Sequence, residues 1–109
     1  MHGNTFQPQY AMLLNSAYAH NLDFDDTHLE GVVHPSVTVI TAALTVAEML
    51  NSTGDELLTA IATGYEVVCR LSTAIGESGY RKGFHNSSNC EIFGSVAAVS
   101  SLKGLKQEV

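Results

Sequence analysis

The sequence predicts an all-α domain on three observations. Apolar residues recur at spacings of three and four through most of the chain, which is the helical period. The two prolines, Pro8 and Pro35, each stand just ahead of such a segment, and proline suits a first helical turn, where its missing N–H is not needed. Thr53-Gly54-Asp55-Glu56 has the form of a capping box, a hydroxyl and a carboxylate that satisfy each other's orphan N–H groups. With 109 residues the chain allows one domain, and with 45% hydrophobic and 15% charged residues it is too apolar to be disordered. Ordinary domains carry roughly a quarter charged residues, so the low charge points to faces turned toward other protein.

The first helix is expected from Pro8 to His20, with Tyr10, Leu13, Leu14, Ala17 and Tyr18 as its apolar stripe. A polar, acidic loop follows from Asn21 to His34. The second helix runs from Pro35 to about Asn51, and its Val, Ile, Ala and Leu residues cover nearly the whole circumference, the pattern of a helix buried on most sides. A strand over Val37–Thr41 is the competing reading, and the Ala-rich continuation argues against it. The third helix leaves the Thr53 cap and reaches about Ile75, with an inner stripe of Leu57, Leu58, Ile61, Tyr65, Val68, Leu71 and Ile75. A Gly-rich loop spans Gly76–Asn86. Ser88-Asn89-Cys90-Glu91 has the form of a second capping box. The last helix is thin (Gly94, Ser95, Ala97, Ala98, Ser100, Ser101), which permits close packing, and Gly104 is placed to end it.

Several function classes drop out. The net charge is −6, from 5 Lys+Arg against 11 Asp+Glu, so nothing tracks a nucleic-acid backbone. The apolar stretches are broken well short of a membrane span. Met1–Tyr10 lacks a basic region followed by an apolar run, so no signal peptide is expected and the location is read as cytoplasmic. Cys69 and Cys90 make no CxxC and no zinc spacing, and are read as idle thiols in a reducing compartment. His2 is read as solvated and without a role.

Chemistry concentrates in the two loops. Asp23, Asp25, Asp26, His20, His28 and His34 fall within fifteen positions. Proton transfer at neutral pH uses a histidine and a carboxylate that orients it or acts as base. The competing reading is a solvated acidic loop whose aspartates cap the next helix. A metal site is a third reading, although the spacing matches no usual ligand signature. In the second loop Arg81, Lys82 and His85 precede a helix N-terminus, a combination that attracts anions. Here the competing reading is a flexible basic turn.

Taken in order, Asp23-Phe24-Asp25-Asp26-Thr27-His28, then His34-Pro35-Ser36, Gly64-Tyr65-Glu66-Val67-Val68-Cys69-Arg70, Gly83-Phe84-His85 and Phe93-Gly94-Ser95-Val96-Ala97-Ala98 resemble the MmgE/PrpD family. That family includes 2-methylcitrate dehydratase, cis-aconitate decarboxylase and iminodisuccinate epimerase. The resemblance runs from about Tyr10 to Leu105. It implies a slice of a helical domain, without the family's smaller α+β domain, and a homodimer. It also implies a lyase of the 2-methylcitrate dehydratase type in propionate metabolism, acting on a di- or tricarboxylate by proton removal next to a carboxylate and loss of water. Decarboxylation or epimerisation is the alternative within the family, and a non-catalytic dimerisation fragment the alternative outside it. By matching position Asp23, His34 and His85 are the implied catalytic residues. Asp23 would orient a histidine or act as base, and Thr27 would bind a substrate carboxylate. Lys82 or Arg81 would add positive charge. The resemblance implies no cofactor and no metal. Two positions depart from the family pattern: Asn86 stands where it has Pro, and Glu91 where it has Gly.

Overall fold

In the computed structural model, which describes residues 5–106, four helices follow one another: α1 (Pro8–His20), α2 (Pro35–Leu50), α3 (Gly54–Arg81) and α4 (Asn86–Leu102). The all-α expectation is met. Among the described residues β-type pairing is confined to an isolated bridge between His28 and Val33. No described helix is long and apolar enough to cross a membrane. His2 lies outside the described residues.

Local chemistry sets most of the ends. Pro8 and Pro35 sit in the first turns of α1 and α2. α2 stops at Asn51, which adopts a left-handed conformation with φ 52°, one that asparagine tolerates. The Thr53–Glu56 capping box is formed: the Glu56 N–H donates to Thr53 Oγ1 at 3.3 Å, and the Thr53 N–H to Glu56 Oε2 at 2.7 Å. Gly104, φ 60°, ends α4, and the Leu105 N–H donates back to the Ser100 carbonyl at 3.1 Å.

The core lies where α2, α3 and α4 meet, around Val33, Val39, Ala43, Ala60, Val68 and Ala98. Close approach there depends on two glycines. A Cβ on Gly64 would lie 2.8 Å from the Gly94 carbonyl oxygen, and one on Gly94 would lie 2.7 Å from the Gly64 carbonyl oxygen. The thin last helix is therefore needed for this packing.

Four expectations change. The buried line of α3 is Ala60, Gly64, Val68 and Ser72, every fourth residue, while Leu58, Leu71 and Ile75 are exposed; Gly64 and Val68 meet Gly94 of α4, and Ser72 lies against Gly31 of the first loop. α1 buries no residue, and Tyr10, Leu13 and Tyr18 of its stripe stay largely exposed. α3 does not end at Ile75: its helical path breaks at Gly76 (φ 58°, ψ −162°) and resumes to Arg81. Finally, Ser88–Glu91 is no capping box. α4 starts earlier, with His85 as its cap residue and no side-chain cap, because Glu91 is turned to another partner.

Candidate active site

The first loop is fastened to all three core helices, and each fastening uses a residue that linear spacing leaves ambiguous. The Asp26 carboxylate takes the Ser36 N–H at 3.0 Å, so it caps α2 from ten residues upstream. Its other oxygen accepts from the Tyr65 hydroxyl of α3 at 2.9 Å. Burial, and then this bond to a carboxylate, push the Tyr65 phenol well above its ordinary range, so it stays protonated and keeps donating. His28 Nε2 meets Thr73 Oγ1 of α3 at 2.9 Å. Gly31 lies flat against α3, where a Cβ would stand 2.0 Å from Ser72 Oγ. Asn86, at the start of α4, is fully buried and donates to the Gly31 carbonyl at 2.7 Å and the Gly76 carbonyl at 3.1 Å.

These ties open a cleft of about 800 Å³ between α1, the start of α2 and the start of α4. Among the described residues three histidines line it: His20 at the end of α1, His34 ahead of α2 and His85 ahead of α4. Ser87 and Ser88 of the first turn of α4 line it too. That turn has no side-chain cap, so its free N–H groups and the helix dipole favour an anion. Among the described residues no lysine or arginine lines the cleft.

His34 is held on one side only. Its Nδ1 lies 3.1 Å from the Asp26 carbonyl oxygen, 3.5 Å from Thr27 Oγ1 and 3.7 Å from Asp25 Oδ1. A carbonyl and a carboxylate oxygen only accept, so Nδ1 carries the proton and Nε2 is the nitrogen left for a ligand. The His34 backbone N–H donates to Glu91 Oε1 at 3.0 Å. Glu91 is buried and also lines the cleft, so this carboxylate anchors the α2 start rather than capping α4.

The sequence-derived candidates separate accordingly. His34 and His85 face one cleft, and Thr27 stands behind His34. Asp23 is exposed, has a left-handed backbone with φ 51°, and does not line the cleft. The carboxylate next to His34 is that of Asp25. Arg81 pairs with Glu77 at 3.0 Å one turn back, and neither it nor Lys82 lines the cleft. His20, Asp23 and Asp25 bring one ligand-type atom each within 4.8 Å of one another, a grouping hidden by the linear spacing. Within it His20 Nδ1 and Asp25 Oδ2 are already hydrogen-bonded at 3.0 Å. Cys69 and Cys90 are free. Burial pushes both thiols up, which keeps them neutral and poor nucleophiles.

The sequence places His20 and Asp25 in the loop where chemistry concentrates but assigns neither a role of its own, and it marks Asn86 and Glu91 only as departures from the family pattern. The five-residue step from His20 to Asp25 was the one available signal, and three neighbouring aspartates diluted it.

Comparison with known proteins gives three results. The family model for the MmgE/PrpD N-terminal domain matches residues 1–109. Among curated proteins the chain is 36% identical over 104 residues to cis-aconitate decarboxylase of Mus musculus and 37% identical over 104 residues to cis-aconitate decarboxylase of Homo sapiens. Each match covers 90% of this chain and 21% of the relative, so the chain spans about a fifth of the length of the curated relatives it matches. No solved structure matches significantly.

Proposed function

The chain belongs to the MmgE/PrpD family, and on that premise we propose that it builds one wall of the active site of a lyase acting on a small di- or tricarboxylic acid. The observation that carries this reading is the convergence of His34 and His85 on one cleft beside the uncapped start of α4. A substrate carboxylate placed at Ser87 and Ser88 would meet helix N–H groups. His34 would then present Nε2 to the reacting carbon, since its Nδ1 is fixed by Asp26. His85 would contact the substrate from the α4 side, and Thr27 would steady His34 or the substrate.

The names of the two relatives put decarboxylation of cis-aconitate first. In that step a carboxyl group leaves as carbon dioxide and its bonding electrons stay on carbon. A proton delivered by an imidazolium then completes an unsaturated dicarboxylate. Charge that develops beside the remaining carboxylates must be stabilised by nearby donors. Dehydration of 2-methylcitrate, which the sequence resemblance implies first, asks the same groups to remove a proton and protonate a leaving hydroxyl.

The test is to incubate the full-length gene product with cis-aconitate and, separately, with 2-methylcitrate, and to follow products by NMR. We expect turnover of one of them, with His34→Ala and His85→Ala each lowering kcat by about 100-fold or more, the usual weight of a proton-transfer group. No turnover of either acid, or full activity in both variants, would overturn the proposal.

A further inference from the structure

The cleft presents a charge problem. A polycarboxylate must enter a chain of net charge −6, yet among the described residues no Lys or Arg lines the cleft and the buried Glu91 carboxylate does. Among the described lining residues the groups that can carry positive charge are the imidazoles of His20, His34 and His85. Two of them share one carboxylate. The Asp25 side chain is 4% exposed, and its Oδ2 lies 3.0 Å from His20 Nδ1. Its Oδ1 is buried without a hydrogen-bond partner and lies 3.7 Å from His34 Nδ1. The two rings stand with centroids 5.6 Å apart, tilted by 59°. His20 itself is half exposed.

Resting on the lyase reading above, we infer that His20 is a substrate-carboxylate anchor and that Asp25 is the positioning residue beneath both His20 and His34. A carboxylate accepts only, so the 3.0 Å contact places the proton of His20 on Nδ1. Nε2 is then the one nitrogen His20 can offer a ligand, and in the imidazolium form it offers N–H. The arrangement follows a general rule for working histidines: the ring nitrogen turned away from the ligand is fixed by a carboxylate or carbonyl, which sets the tautomer and the ring plane. Here one buried carboxylate serves two rings. His20 holds the substrate while His34, backed by the Asp26 carbonyl as well, keeps its Nε2 for the reacting carbon.

The experiment uses the full-length protein with 15N- and 13C-labelled histidine. Ring 15N shifts report which nitrogen of His20 is protonated. We expect Nδ1–H in the unmodified protein, and a shift toward Nε2–H in Asp25→Asn, whose amide group can turn a donor to Nδ1. Addition of cis-aconitate should perturb the His20 ring resonances. His20→Asn should raise KM for cis-aconitate by about tenfold or more while kcat stays within about threefold. Asp25→Asn should raise KM and also lower kcat, because it disturbs both rings. An unchanged KM in His20→Asn, or Nε2–H on His20 in the unmodified protein, overturns the inference even when the enzyme turns over normally. Absence of turnover in the unmodified protein, with His20 still Nδ1-protonated and still responding to cis-aconitate, overturns the lyase reading and leaves the anchor standing.

Discussion

Asn86 has no exposed surface and its amide nitrogen donates to two carbonyl oxygens, one from the first loop and one at the break in α3. It therefore joins three separate stretches of chain at the back of the cleft. Proline, which the resemblance implies at this position, suits the first turn of a helix but donates nothing. We predict that Asn86→Ala lowers stability by about 1–3 kcal/mol, the cost of leaving buried carbonyls unpaired, read from urea unfolding. Asn86→Asp should cost more, since it turns an acceptor toward two acceptors. Roles among the loop aspartates are also decided at this scale. Asp23, Asp25 and Asp26 look equivalent in the sequence. Asp23, on a left-handed turn, stays exposed beside His20 and Asp25, while Asp25 goes beneath the histidines and Asp26 ties α2 to α3. No spacing rule distinguishes them, because the distinction comes from partners 5 to 39 residues away.

At the scale of elements, the start of α3 carries a pH dependence of known sign. The Thr53 backbone N–H, and then its hydroxyl, hold the Glu56 carboxyl below its ordinary value of 4.5. A carboxyl lowered in the folded state contributes stability that is complete above its unfolded value and is lost as pH falls through the folded one. Hydrogen exchange at the first turn of α3 is thus expected to be slow and flat from neutral pH down to about 4.5, once intrinsic rates are removed, and to quicken below it. Glu56→Gln should flatten that acid limb, because the amide keeps the hydrogen bond without titrating. The α3–α4 contact gives a second prediction. Gly94→Ala would push a methyl group against the Gly64 carbonyl and Val68, costing about 1–3 kcal/mol as overpacking, measurable as a lower urea midpoint. Capping and proline signals were legible because they act within one turn. The α3 extension past Gly76 was not, since Gly79 is buried against Ile75 and Asn86 and the Glu77–Arg81 pair adds support one turn apart. Of these, the Asn86 contact exists only once α4 is in place.

At the scale of the molecule, the described residues extend 41 × 39 × 20 Å, a flattened shape with a small core. Tyr10, Leu13, Tyr18, Leu58, Ile92 and Phe93 are all more than half exposed, and apolar surface on that scale marks contact with other protein. We predict that residues 5–106 produced alone self-associate and do not turn over polycarboxylates; sedimentation velocity showing a monodisperse monomer would contradict this. The sequence by itself determined four helical segments, because periodicity, proline and capping act locally, and the thin last helix, with Gly94, that lets the helices touch. It also singled out His34, directly ahead of the second helix, and His85, in the loop ahead of the last one. Only the tertiary structure decided which carboxylate stands beneath them, that Arg81 and Lys82 lie outside the cleft, and that His20 lies inside it. Those outcomes depend on loop ties to Tyr65, Thr73 and Asn86, residues distant in sequence whose contacts appear only when the helices are packed.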